Sequence, residues 1–257
     1  NAFYSEAARP NFPSILLELL SHQNFYEMKF ALEPKFRFDI SRSIYKGMLK
    51  YLSSNFGFDY IVQPLPPTDF SVLLNENGEA ELNWIAQTDS TEPTAEAKKF
   101  IVYTRINEGG FDNGRIVESN KITFNDLKEN TIYSYKVAAL NDGGESFPTE
   151  ILSLCWNKKS PNPILIVNGF DRISAPATFE SQTFSGFVNF IDEGVPDKYE
   201  LGFVGEQFNF NPNSKWETDD NPGHGASHSD FESQVIAGNS FDFTITHGKA
   251  IKDNGFS

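Results

Sequence analysis

The chain has 257 residues, of which 39% are hydrophobic and 22% are charged, and its net charge is −14 at pH 7. This length predicts two or three domains, and the hydrophobic content is sufficient to bury real cores. The strong negative charge argues against nucleic acid or an anionic membrane surface as a partner, because both are bound through basic patches.

Residues 1–62 are predicted to form a strand–loop–helix unit. A short apolar run at 14–20, behind Pro13, is typical of a buried strand. Helical spacing follows over residues 24–30 and again over 39–55. A unit of this kind cannot close a core alone.

The longer predicted helix has an apolar face and signals at both ends. Asp39 or Ser41 can cap its start, and Gly57 lies where a residue in the left-handed conformation ends a helix. The apolar face recurs every four residues and consists of Ile40, Ile44, Met48 and Leu52.

A β-sandwich is predicted over residues 68–157, after a proline-rich linker at 63–67. Closely spaced prolines favour a stiff, extended connection and forbid a helix there. Residues 133–139 alternate in the pattern of a half-buried strand. Clusters of Asn, Asp and Gly at 75–78 and 108–114 predict hairpin turns within the sandwich.

The sandwich region resembles the fibronectin type III fold. Leu127, a short polar turn and Tyr133 are similar to its tyrosine corner, in which a Tyr hydroxyl bonds to the backbone upstream. In this resemblance Trp84 is the buried tryptophan. The resemblance implies a spacer or binding module and does not name a chemistry.

A second linker, residues 158–163, precedes a third domain predicted over 164–257. The apolar run 164–171 is typical of the first buried strand of an α/β-type domain. Since the chain begins without Met and ends abruptly, we expect this domain to be truncated and the chain to be a fragment. The expected fold class is therefore multidomain α+β. The single cysteine, Cys155, excludes an internal disulfide and is expected to be a buried structural thiol.

Glu18 is the best catalytic candidate, because a carboxylate inside an apolar run must be hydrogen-bonded, paired or at the mouth of a site. The run around Glu18, followed by residues 42–49, resembles the last strand and last helix of zinc-dependent N-acetylmuramoyl-L-alanine amidases. The resemblance implies that residues 1–62 are the C-terminal part of an amidase-like α/β domain. The resemblance implies that Glu18 acts as general base on a zinc-bound water and then protonates the departing amine. The alternative is a structural carboxylate paired with a Lys or Arg.

Histidines supply the remaining candidates for a site. His22 could line the same mouth as Glu18 or simply lie in a loop. His224 and His228 are weak candidates for a cation site in a loop, and His247 is expected to be structural. The amidase family holds its zinc through residues upstream of the last strand, so we expect zinc in the parent protein and none in this chain alone.

The whole arrangement resembles secreted cell-envelope proteins of the Bacteroides type, whose relatives are named as amidases or as xanthan lyase-like proteins. It implies a periplasmic or cell-surface hydrolase fragment that is inactive as this chain, with peptidoglycan or another cell-surface polysaccharide as partner. One alternative is a non-catalytic module that binds glycan or protein, with Trp216 as a glycan-binding candidate; another is a xanthan lyase-like polysaccharide-active protein. No apolar run approaches the roughly 20 residues that span a bilayer, so no membrane insertion is expected.

Overall fold

The structure of the chain, a computed structural model, describes residues 9–21, 23–160, 162–167, 177–183, 185–187 and 243–257. The chain divides into two compact units. The first comprises Asn1–Ser41 and Asp171–Asn239, and the second comprises Arg42–Phe170 and Ser240–Ser257. Among the helices of the described ranges, none is long and apolar enough to cross a membrane.

The described residues contain helices and short strands. The helices are α1 (Phe25–Ala31), α2 (Pro34–Phe56) and α3 (Phe243–Asp253), with one 3-10 turn at Pro93–Ala95. The strands are β1 (Thr68–Leu74), β2 (Ala80–Ile85), β3 (Lys99–Ile106), β4 (Arg115–Val117), β5 (Lys121–Phe124), β6 (Ile132–Asn141), β7 (Gly144–Glu145), β8 (Leu152–Cys155), β9 (Thr178–Glu180) and β10 (Ser185–Phe187).

The first unit contains α1, the start of α2 and the β9–β10 hairpin. The side chain of Asn24 caps α1 by accepting from the backbone N–H groups of Tyr26 and Glu27, which confirms the short predicted helix. Residues 14–20 have no regular secondary structure and are exposed, so the predicted buried strand was wrong. An apolar run becomes a strand only where another strand pairs with it, and no strand among the described residues pairs with 14–20.

Helix α2 begins five residues before the predicted start. Pro34 is its first residue, where the fixed φ of proline suits a helix and its missing N–H costs nothing. The Glu33 carboxylate accepts from the backbone N–H of Lys35 at 3.1 Å. The predicted caps Asp39 and Ser41 therefore lie inside the helix, and that prediction was wrong. Gly57, with φ of 70°, follows the last residue of α2 as predicted.

The second unit is built around a β-sandwich, as the sequence predicts. One sheet has the order β1-β2-β5, and the other has the order β4-β3-β6-β7 with β8 also paired to β6. All of these pairings are antiparallel. The predicted turns at 75–78 and 108–114 connect β1 to β2 and β3 to β4. The buried core between the sheets consists of Ala80, Leu82, Trp84, Phe100, Val102, Leu127, Tyr133, Tyr135, Val137 and Ala139.

The tyrosine corner is present. The Tyr133 hydroxyl accepts from the backbone N–H of Lys128 at 3.0 Å, and Leu127 beside it is buried. Trp84 is 2% exposed and meets Phe100 edge to face, with ring centroids 5.4 Å apart. Two features of the resemblance, the corner and the tryptophan, are thus confirmed. The odd-numbered residues of β6 face the core as predicted, but Ser134 and Ala138 on its other face are buried as well, so the strand is not half-buried.

The predicted linker at 63–67 lies against the sandwich. Pro64 is fully buried, and the Asn141 side chain donates to the carbonyl of Val62 at 2.8 Å. A Cβ at Gly143 would lie 2.4 Å from the Ile61 carbonyl oxygen, so only glycine allows the turn after β6 to approach this segment. These contacts hold the chain before β1 in one position on the domain.

The end of the chain returns to the same unit. Helix α3 packs on β6 and β8, and the hydroxyl of Ser257 accepts from the backbone N–H of Asn157 at 2.9 Å. Residues 164–167, predicted as the start of a buried strand, are irregular and exposed, with Leu165 84% exposed. That part of the prediction was wrong: the Ile164 N–H donates to the Ser257 carbonyl at 2.9 Å, but no strand among the described residues pairs with this run. The rest of the predicted strand, 168–171, lies outside the described residues.

Candidate functional site

Of the residues that the sequence singles out for a site, only Glu18 and His247 lie within the described ranges. Glu18 lies exposed in the irregular segment 14–20, and His247 is exposed on α3. The other candidates, His22, His224, His228 and Trp216, lie outside the described residues. Where the structure is described, no group of three or more His, Cys, Asp or Glu could hold a metal ion.

The best-defined polar cluster joins α2 to the loop after β2. The Oδ2 atom of Asp89 accepts from Arg42 Nε at 3.0 Å and from Lys46 Nζ at 2.6 Å. Its Oδ1 atom accepts from the backbone N–H and the hydroxyl of Thr91, at 3.1 and 2.7 Å. The side chains of Arg42, Lys46 and Asp89 are 9%, 14% and 9% exposed. We call Arg42, Lys46, Asp89 and Thr91 the Asp89 anchor.

The Asp89 carboxylate is charged and saturated with donors. Burial by itself raises the pKa of Asp89, but the hydrogen bonds from Lys46, Thr91 and Arg42 more than offset it and hold that pKa well below its ordinary value. A carboxylate with such a low pKa and four donors cannot act as a general base near neutral pH. The anchor is therefore suited to fixing α2 in place and not to catalysis.

Further hydrogen bonds extend the anchor into the segment that leads to β1. Arg42 also donates from its guanidinium to the carbonyl of Gln63 at 3.0 Å, and the Gln63 N–H donates to the Tyr45 hydroxyl at 3.4 Å. The backbone N–H of Val62 donates to the Thr94 hydroxyl at 3.2 Å. Helix, connecting segment and loop thus form one hydrogen-bonded junction.

A second cluster lies on the face of the β3–β6 sheet that points away from the core. The ammonium of Lys136 lies 4.5 Å from the ring centroid of Phe111 and 5.3 Å from that of Tyr103, and the Arg105 guanidinium lies 4.8 Å from Phe111. Burial, together with the hydrogen bond from its hydroxyl to Glu145, raises the pKa of Tyr103 to about 12. Because cations already cover these rings, the cluster is not an open platform on which sugar rings could stack.

The sequence did not predict the Asp89 anchor, although the pattern of its two basic residues can be seen in the sequence. Arg42 and Lys46 are four residues apart and therefore share one face of α2. Two cations on one helix face usually lie in solvent, and nothing in the sequence links them to a carboxylate 47 residues beyond Arg42. Only the fold of the intervening segment brings Asp89 to them.

Known proteins that resemble this chain match its sandwich. The family model of the fibronectin type III domain matches residues 65–154. Among solved structures, the chicken CNTN1 FN1-FN3 domains share 20% identity and a TM-score of 0.30, covering 35% of this chain and 31% of that one. The C. elegans twitchin kinase region shares 18% identity and a TM-score of 0.30, covering 36% of this chain and 16% of that one. A structure described as a myokine shares 18% identity and a TM-score of 0.29, covering 36% of this chain and 97% of that one.

This chain thus spans less than a third of the CNTN1 structure and less than a fifth of the twitchin structure. The comparison with curated proteins returned no match. The matched range begins within the proline-rich segment and ends within β8, and it contains the tyrosine corner. Residues 65–154 are a fibronectin type III domain.

Proposed function

We propose that this chain is a non-catalytic structural module, in which the fibronectin type III domain acts as a rigid spacer in a larger cell-surface protein. The observation that carries the proposal is the Asp89 anchor, together with the hydrogen bonds of Val62 and Gln63. A rigid spacer must fix the orientation of the segments next to it. The buried Asp89 carboxylate accepts four hydrogen bonds, and these fix the orientation of α2 on the domain. We expect the protein to lie in the periplasm or at the cell surface, with peptidoglycan or another cell-surface polysaccharide as its partner.

A hydrolase of the amidase type is the second candidate. Its support is the segment 14–20, whose apolar side chains are exposed around the Glu18 carboxylate in the described structure. An apolar run of this kind is typical of a segment that needs a larger sheet to cover it. In that candidate Glu18 serves as general base and acid beside a zinc ion, with His22 near the same mouth. The xanthan lyase-like alternative has no described residues in its favour.

Incubation of the full-length parent protein with peptidoglycan, with and without added zinc, separates the two candidates. The spacer predicts that Glu18→Gln changes the release of soluble muropeptides no more than Glu76→Gln does. Zinc-dependent release that Glu18→Gln abolishes and Glu76→Gln leaves intact would refute the spacer and support the amidase. Glu76 is the matched control because it is an exposed glutamate in the β1–β2 turn.

A further inference from the structure

Helix α3 covers part of the sheet face that points away from the sandwich core. The odd-numbered residues of β6 lie in the core, so Ile132 faces the other way, yet it is only 3% exposed. A Cβ built at Gly248 in the middle of α3 would lie 3.6 Å from Cδ1 of Ile132. Ile132 is therefore buried beneath α3 and not between the sheets.

Cys155 lies under the same helix. It is paired directly with Ile132 across β6 and β8, and directly paired residues of antiparallel strands share one face. Burial raises the pKa of the Cys155 thiol, and the positive charge of Lys252 on α3 partly opposes this effect. Register, packing and charge thus agree that α3 lies over this thiol.

Helix α3 itself is held by weak contacts, whereas residues 255–257 are held by hydrogen bonds to Asn157, Ser160 and Ile164. No residue of 243–257 whose burial is described is fully buried. Lys249 pairs with Glu108 at 2.9 Å, but the two side chains are 52% and 66% exposed, and ion pairs this exposed contribute little. Gly248 also lowers the helix propensity of the middle of α3. An element with few buried contacts opens more readily than the core that it covers.

We propose that α3 is a reversible cover over the outer face of the β6–β8 sheet, and that it opens by local unfolding of residues 243–253 while the sandwich stays folded. Opening uncovers the apolar side chain of Ile132 and the thiol of Cys155. Closure keeps Ile132 from solvent and leaves Cys155 only partly accessible. A cover of this kind operates whether or not the domain serves as a spacer.

The reaction rate of Cys155 with an aromatic disulfide reagent, in the whole chain under native conditions, measures the opening. Cys155 is the only cysteine, so the signal comes from one site. Gly248→Ala raises the helix propensity of α3, and its new methyl group meets Ile132 at an ordinary contact distance, so labelling should slow about four-fold. Gly47→Ala is the matched control: it makes the same change in α2, where a Cβ meets nothing within 4 Å, and it should leave the rate unchanged.

The dependence of the labelling rate on urea identifies which opening is observed. Local opening of α3 predicts a rate that changes little at low urea, because little surface is exposed. A rate that rises as steeply with urea as global unfolding would overturn the proposal, since Cys155 would then react only in the unfolded chain. A wild-type rate equal to that of the urea-unfolded chain, or equal slowing by Gly248→Ala and Gly47→Ala, would overturn it as well.

Discussion

Replacing Asp89 with Asn should undo the Asp89 anchor while preserving the size of the side chain. Asn has one acceptor oxygen and one NH2 group, so it cannot accept at once from Thr91 and from the two cations. Arg42 and Lys46, which are 9% and 14% exposed, would lose their counter-charge. Removing one partner from a buried ion pair costs about 3–5 kcal/mol. Lys46 can reach water by moving its flexible stem, so we expect the low end, about 3 kcal/mol.

Asp142→Asn is the matched control for this change. Asp142 pairs with Lys98 at 2.5 Å, but the two side chains are 66% and 57% exposed, so its loss should cost far less stability than the loss of Asp89. Amide hydrogen exchange over residues 42–56 measures the free energy of local opening of this part of α2. Urea unfolding measures the free energy of unfolding of the sandwich. If Asp89→Asn changes neither quantity by more than Asp142→Asn does, the anchor contributes no stability and the reasoning is refuted.

The contribution of Asp89 should also disappear in acid. Its pKa is lower in the folded chain than the ordinary value of 3.8, so the unfolded chain binds the proton more readily. The stabilisation is therefore complete above about pH 4 and is lost as the pH falls from there toward the lower pKa of the folded chain. The difference between the wild type and Asp89→Asn should shrink over that window and stay constant from pH 5 to 8.

Three other predictions test the sandwich. Tyr133→Phe leaves the Lys128 N–H without its acceptor and should lower the free energy of unfolding by about 1–2 kcal/mol in urea, whereas Tyr26→Phe, at a ring 66% exposed, should not. Gly78→Ala should lower the free energy of unfolding by about 2 kcal/mol or more, because φ is 78° and the new Cβ would lie 2.6 Å from the Trp156 ring. Gly57→Ala, where φ is 70° and the space around the Cβ is open, should lower it by about 1 kcal/mol. Tyr103 should titrate near pH 12 by phenolate absorbance, and Glu145→Gln should lower that value. Because its pKa rises on folding, the stabilisation from Tyr103 is present below pH 10 and is lost as the pH passes 12; a titration near 10 would refute the bond to Glu145.

The sequence by itself determined the sandwich. The alternation along β6, the interval from Leu127 to Tyr133 and the Asn–Gly turns are local patterns, and each specifies a backbone geometry within a few residues. Helix periodicity likewise predicted α1 and most of α2, although the start of α2 depended on Pro34 and Glu33 and was misplaced. In these elements local preference and tertiary structure agree, so local reading was enough.

Only the tertiary structure decided which segments join the domain. Arg42 and Asp89, Val62 and Asn141, and Asn157 and Ser257 are far apart in the chain, and their contacts arise from the path of the backbone. The apolar runs at 14–20 and 164–167 failed as strand predictions for the same physical reason. A hydrophobic run indicates that a segment can be buried, but a strand forms only where another strand pairs with its backbone.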